Sequence, residues 1–385
     1  MPDMASVLIE RARALAPLLA EHAAEAEQLR RPHDAVIAAL EEAEIFKLMV
    51  PRCYGGFELD LDTFLEVGLV LGEGDASMAW VTTFYIEHCW MFCQFAEAFQ
   101  KEVFAERGYV LAPAAIAVTG VAQPVEDGYR LSGRWQWGSG VMHADRVIVG
   151  ARVDRPDGKL DQRFFAMNRS DIHIDDTWLV DGMAGTGSND IVIDELVVPE
   201  EHTASIAALG AGRGLGAALH EGPLYRTPML SILGLAASMP SVGQARAAVN
   251  RFRDQMHNRT LYVSRSKQAD KSAAQIRLAR ADLEARQAEL LLRQVVGEVM
   301  ELRDRATLDD RARWLASYAM AVDQSKNVLR SIAEASGAHA HFLSHPLQRA
   351  VRDVNTMACH VVFDLDARLE TLGKTMLGKE PDGFL

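Results

Sequence analysis

Three side chains that can hold or move a proton stand out by their neighbours: His88, Ser139 and His360. Ser139 closes the run Trp135-Gln-Trp137-Gly-Ser139-Gly140. There the indoles supply apolar wall, and the small residues let a hydroxyl and backbone groups approach the polar edge of a flat ring system. A serine hydroxyl donates or accepts as its partner requires. His88 follows Trp80 by eight residues, which on a helix turns the two about 80° apart, so both can face one cavity. His360 falls in a stretch expected to be helical, with Asp353, Thr356 and Asp364 on its face. A carboxylate there would fix the tautomer of an imidazole suited to proton exchange near neutral pH. Each residue also has a plain reading. Ser-Gly is a common turn pair, and a lone histidine in an aromatic helix is more often a satisfied core group. His360 alone reads as a packing histidine paired with Asp364.

The elements that must position these groups fall into three stretches. Residues 1–110 read as a helical domain of Ala-, Glu- and Leu-rich segments, broken by Pro51-Arg-Cys-Tyr54-Gly55-Gly56. Residues 111–204 carry strand signals and read as a small sheet or barrel. Glu126-Asp127-Gly128 is a hairpin turn, and the alternation after it puts Leu131, Gly133, Trp135 and Trp137 on one face. Residues 205–385 open with a Gly-rich connection at 205–228, long and flexible enough to cover a site. Helices expected at about 240–262, 270–304, 308–336 and 346–375 then suggest a four-helix bundle.

Composition removes several classes of function. A chain of 385 residues exceeds the usual single-domain size. The formal charge of −13, with no basic run interleaved with aromatics, argues against nucleic acid. Cys53, Cys89, Cys93 and Cys359 are too scattered for a disulfide framework, and Cys89-x-x-x-Cys93 lacks a second ligand pair, so no metal is expected. No apolar stretch reaches about twenty residues; no membrane span and a cytoplasmic location are the expectation. No Gly-x-Gly-x-x-Gly follows a strand to open a helix, which disfavours a nicotinamide enzyme.

The order of helices, β domain and bundle resembles the acyl-CoA dehydrogenase fold, an α+β and mostly helical architecture with a central β-barrel or sandwich. Within that superfamily the residues are most similar to the oxygenase components of two-component flavin-dependent monooxygenases, over nearly the whole chain. The resemblance is carried by Pro51-x-x-Tyr54-Gly55-Gly56, Gly74-Asp75-Ala-Ser77-Met-Ala-Trp80 with His88, and Gly133-x-Trp135-x-Trp137-Gly-Ser139-Gly140-x-x-His143-Ala144. Gly185-Thr186-Gly187-Ser188-Asn-Asp190 and Pro346-Leu-Gln348-Arg349-x-x-Arg352-Asp353 with His360 complete it. It implies reduced FMN or FAD delivered by a separate flavin reductase, O₂ as co-substrate, and a C4a-hydroperoxyflavin that hydroxylates a small aromatic substrate. The protein's part is positioning and a dry cavity.

By the same resemblance His360, Ser139 and His88 are the catalytic candidates, with Ser139 at flavin N5 and His360 as base or donor. Trp137, Gly140, Thr186 and Ser188 would also hold the cofactor, the last two at its phosphates. Arg259, Gln348 and Arg349 would reach phosphate or adenine from a neighbouring subunit of a homotetramer, although Arg349 can equally pair with Asp353 four residues on. Trp80, His88, Ala114 and Val362 would line the substrate pocket. Two departures bear on the substrate: Ala114 and Val362 stand where related phenol-acid hydroxylases carry serine and tyrosine, which favours a less polar ring such as indole or a polycyclic phenol. A third, Ala184 in place of an arginine, removes a charge near the expected phosphates. The alternatives are a true acyl-CoA dehydrogenase, which lacks its bundle carboxylate because none occurs between Ala335 and Val351, and a non-catalytic member of the scaffold.

Overall fold

The computed structural model describes residues 3–154, 158–262 and 264–381. Helices α1 (Met4–Leu29), α2 (Asp34–Glu42), α3 (Leu61–Gly74), α4 (Ala76–Phe92) and α5 (Glu97–Phe104) come first. Strands β1 (Ala114–Val125), β2 (Gly128–Gly138), β3 (Arg146–Val153), β4 (Asp161–Asn168), β5 (His173–Asp175), β6 (Asn189–Val198) and β7 (Thr203–Ser205) follow. Then come α6 (Ile206–Gly210), α7 (Gly216–Leu219), α8 (Met229–Asn258), α9 (Ser272–Leu302), α10 (Leu308–Ser336), α11 (Pro346–Ala358) and α12 (Leu365–Met376). None of these helices is long and apolar enough to cross a membrane.

α4 is the axis on which the site depends. Asp75 caps it by accepting from the Met78 amide at 2.8 Å, and every residue from Ala76 to Phe92 is buried. A helix apolar on all sides must be enclosed. α8 covers one side, where Thr83 donates to the Ala236 carbonyl at 3.0 Å, and on another Tyr85 donates to the Gly140 carbonyl at 2.5 Å, tying helix to sheet. The same core runs from Leu69 and Trp90 through Leu235 and Met239 to Tyr318, so early and late helices bury one another.

The strands form one sheet in the order β5-β6-β2-β1-β3-β4-β7, with β1 and β3 parallel and the other neighbours antiparallel. β3 shows why both faces are covered: Val147, Val149 and Ala151 enter the sheet's own core, whereas Ile148 between them packs with the helices. The period of two makes that division.

Three sequence expectations change. Trp135 and Trp137, expected on one face, point apart, because the β2–β6 register shifts between Trp135 and Gly138 and Trp137 sits at φ +67°. Such a bulge re-aims a side chain. Trp135 is fully buried with Nε1 donating to the Gly150 carbonyl at 2.7 Å, while Trp137 is 56 % exposed. The helix expected over 346–375 is broken after Ala358. His360 accepts from the Val362 amide and Asp364 from the Ala367 amide, and such side-chain caps end one helix and start the next. Residues 205–228 form α6, α7 and the 3₁₀ turn Pro223–Arg226 rather than a loose connection; Gly214 and Gly216 pack on Gln94, just beyond the end of α4.

The Trp135 ring lies against Gly120 and Gly133, where an added Cβ would come within 2.1 and 2.7 Å of it. Gly120→Val is therefore expected to cost about 3 kcal/mol or more by overpacking, read as a lower urea midpoint. An unchanged midpoint would show that the ring can move aside.

Candidate functional site

α4, the end of β2, the turn around residues 178–188 and the α11–α12 break enclose a pocket of about 450 Å³. Its walls are Trp80, Trp137, Trp178, Met183 and Met357, with Ser139, Thr186, Ser188, Thr356, His360 and Val361 among the remaining lining groups. A smaller compartment of about 60 Å³ shares Trp80, Trp137, Ser139 and His360 and adds Phe84, His88, Ala114, Ile116 and Leu233. The sequence candidates Trp80, His88, Ala114, Trp137, Ser139, Thr186, Ser188 and His360 thus converge from parts of the chain up to 280 residues apart. No residue of 205–228 lines either compartment.

The hydroxyls form a continuous chain. Trp80 Nε1 donates to Ser139 Oγ at 3.3 Å, Ser139 Oγ lies 2.8 Å from Ser188 Oγ, Ser188 Oγ lies 2.6 Å from Thr186 Oγ1, and Thr186 donates to the Met183 carbonyl at 2.8 Å. Thr186 and Ser188, expected to donate to phosphates, turn their hydroxyls on one another instead. Gly140 holds the corner: at φ +81° its own Cβ would fall 2.6 Å from Tyr85 Oη.

Backbone partners set the two histidines oppositely. His88 Nδ1 lies 2.6 Å from the Ala112 carbonyl, which only accepts, so Nδ1 carries the proton and Nε2 keeps its lone pair. His360 Nδ1 accepts the Val362 amide at 3.3 Å, so in the neutral ring the proton sits on Nε2. The carboxylate expected to orient His360 is absent from that role, because Asp364 caps α12 and Asp353 holds Met183. Burial pushes both imidazoles down to about 4, against a carbonyl contact that raises His88, and with Arg368 lowering His360 further. The Trp80 and His360 rings meet edge-on at 5.5 Å.

Two further residues acquire a role at the site that their place in the sequence does not assign. Glu87 is 0 % exposed, and neither of its oxygens has a hydrogen-bond partner among the described residues, although Oε2 is 3.2 Å from His88 Nε2. Burial drives its carboxyl well up, toward the neutral acid. One charge in an otherwise apolar helix was the available signal. Asp353, also buried, accepts the Met183 amide at 2.6 Å and fixes that residue at φ +61°. The adjoining Gly182 leaves no room for a Cβ, which would fall 2.3 Å from the Arg352 carbonyl.

Other candidates lie elsewhere. Arg349 reaches Asp75 at 3.9 Å and Glu27 at 4.0 Å, not the i,i+4 Asp353, and is mostly buried. Gln348 bonds the Leu343 carbonyl and Arg352. Arg259 donates to the Ala335 carbonyl and lines a separate cavity of about 630 Å³ with Arg251, His339 and His345. Val362 turns into the core, and Val361, 67 % exposed, takes the pocket wall, because successive residues of the 3₁₀ turn face different ways. His22, Glu25 and His33 group their ligand atoms within 4.8 Å, a clustering hidden in the sequence by the turn at Arg30. His33 Nδ1 accepts the Ala35 amide, which leaves an Nε2–H for Glu25 and reads as capping.

The pocket fits a flavin ring: indole and thioether walls, one chain of hydroxyls at an edge, and two oriented imidazoles. Comparison with known proteins agrees. Residues 235–365 match the family model described as acyl-CoA dehydrogenase, C-terminal domain. The chain is 34 % identical to the pigment production hydroxylase of Rhodococcus sp. (strain ATCC 21145), covering 96 % of both. It is 29 % identical to the flavin-dependent monooxygenase, oxygenase subunit HsaA, of Rhodococcus jostii (strain RHA1), covering 92 % of this chain and 94 % of that one. Its fold is similar to XiaF from Streptomyces sp., solved with FADH₂ and glycerol, at a TM-score of 0.91 and 26 % identity over 99 % and 97 % of the chains.

A carboxyl whose folded affinity for protons is raised contributes stability that is fully present below its unfolded range, about pH 4.5, and lost as pH rises toward the folded value. Glu87→Gln removes this loss. The melting temperature of Glu87→Gln relative to the parent is expected to climb steadily between pH 5 and 8. A difference that stays flat across that range would mean Glu87 is ionised in the folded protein.

Proposed function

The chain belongs to the oxygenase components of two-component flavin-dependent monooxygenases, and we propose that it hydroxylates a weakly polar aromatic ring, indole-like or phenolic, held between His88 and His360. Reduced FMN or FAD, supplied by a flavin reductase, delivers when bound the electrons that activate O₂. The chain's own groups do the rest. The observation that carries the reading is that two imidazoles of opposite tautomer line one compartment: His88 Nε2, with Glu87 Oε2 3.2 Å away, keeps a lone pair, and His360 Nε2 carries a proton.

Trp80, Trp137, Trp178, Met183 and Met357 exclude water from the space where reduced flavin and substrate meet. By its likeness to the family's serine, Ser139 would meet the N5 edge of a bound flavin. His88 takes the O–H or N–H of the substrate, and Ala114, Ile116, Phe84 and Leu233 supply apolar wall around it, with Ser139 and His360 as the other polar lining groups and no cationic side chain. That lining supports a ring without a carboxylate. An acyl thioester oxidation needs a carboxylate base, and the carboxylate at this pocket, Asp364, is exposed and spent as a helix cap.

His360→Ala is expected to lower hydroxylated product per reduced flavin oxidised by about 10²-fold, with hydrogen peroxide rising in compensation and reduced-flavin affinity changing little. His88→Ala should cut the yield from phenols and indole, which carry a removable proton, more than from their O- or N-methylated counterparts. Product analysis across that panel decides it: equal losses throughout would remove His88 as acceptor, and no product from any member would remove the substrate class.

Arg259 and its cavity share no lining residue with the flavin pocket. We place them at the phosphate or adenine end of flavin bound in a neighbouring protomer of a homotetramer. Exposed Ile276, Leu283 and Leu290, spaced seven apart on α9, support a self-association face. Light scattering on the purified protein is expected to give four copies, and a stable monomer would leave Arg259 without a role.

A further inference from the structure

The direction of every proton in the Trp80–Met183 chain is fixed by its ends. Trp80 Nε1 can only donate and the Met183 carbonyl can only accept. Thr186 spends its proton on Met183, so Ser188 must donate to Thr186, and Ser139 must donate to Ser188. Ser139 thus receives the Trp80 N–H, gives its own proton inward, and has only a lone pair left for the pocket. Thr186 and Ser188 are buried at 1 % and 3 % exposure, so water offers them little alternative partner.

We propose that Thr186 and Ser188 are positioning residues that hold the Ser139 hydroxyl as an acceptor toward the pocket, so that the site recognises a flavin carrying an N–H at N5 and disfavours one presenting a bare nitrogen. The inference rests on the reading that Ser139 meets the N5 edge. Oxidised flavin offers a lone pair at N5, and Ser139 could donate to it only if Ser188 turned to donate to Ser139 and Thr186 to Ser188. The Met183 carbonyl would then lose the Thr186 hydroxyl and keep the Thr186 amide and the Trp178 indole. One net hydrogen bond separates the two arrangements, which corresponds to about a tenfold preference.

The test compares dissociation constants for oxidised and anaerobically photoreduced FMN, and the same pair for FAD, in the parent, Thr186→Val, Thr186→Ser, Ser188→Ala and Ser139→Ala. Thr186→Val frees Ser188 to donate to Ser139. The ratio of oxidised to reduced dissociation constants is therefore expected to fall about tenfold, equivalent to a midpoint potential of the bound flavin lowered by about 30 mV, which is measured independently. Ser188→Ala should do the same, and Thr186→Ser should restore the parent ratio. If Thr186→Val weakens both flavin states equally, or leaves the ratio unchanged while Ser139→Ala alters it, the relay is overturned and the Ser139 contact stands. If Ser139→Ala leaves the ratio unchanged, the N5 contact falls and the proposal with it.

Discussion

The buried Asp353 carboxyl on the Met183 amide holds the two halves of the site together. Burial and the neighbouring Asp75 both push this carboxyl up, so its place in the interior is unfavourable unless the hydrogen bond is made. Once made, it pins Met183 in the left-handed region and seats Gly182 against the α11 backbone. The 3₁₀ turn Ala184–Thr186 then lies across α1 and α4, with Gly185 against Ser77. That seating places Ser188 beneath Ser139, and α11, carrying the same carboxyl, delivers His360 to the opposite wall. A residue that touches neither cofactor nor substrate therefore registers β2, α4 and α11 against one another.

A second theme is the use of the backbone to orient side chains. The two pocket histidines have identical chemistry, yet a carbonyl on one and an amide on the other leave an acceptor on the first ring and a donor on the second. The hydroxyl chain extends the logic, because an indole at one end and a carbonyl at the other determine every proton between them. Such arrangements cost nothing at the moment of reaction, since they are settled by folding.

Much of this was legible before any coordinates. His88 and Trp80 share a helix whose period alone brings them to one cavity, and Ser139 follows a strand whose composition suits a flat ring. What misled was local regularity carried too far. Strict alternation put Trp135 beside Trp137, but a bulge spends one residue and turns Trp137 outward. An unbroken helix put Asp353 and Asp364 beside His360, but the helix stops at Ala358 because His360 and Asp364 cap amides of their own. The resemblance puts Val362 at the substrate wall, and the 3₁₀ turn gives that wall to Val361. Arg349 suits either an anion or the i,i+4 Asp353 by sequence, and its partners Glu27 and Asp75 come from elements remote in sequence.

The sequence by itself determined the order of helices, sheet and bundle, the absence of a carboxylate between Ala335 and Val351, and, through the family resemblance its motifs carry, which proton-bearing residues to look for in the pocket. Only the tertiary structure decided what each of those residues does. Tautomer, hydroxyl direction and the raised proton affinity of Glu87 depend on which atom of a distant segment lies within three ångströms or so, and on how completely water is excluded there. Neither quantity is a property of any local stretch of chain.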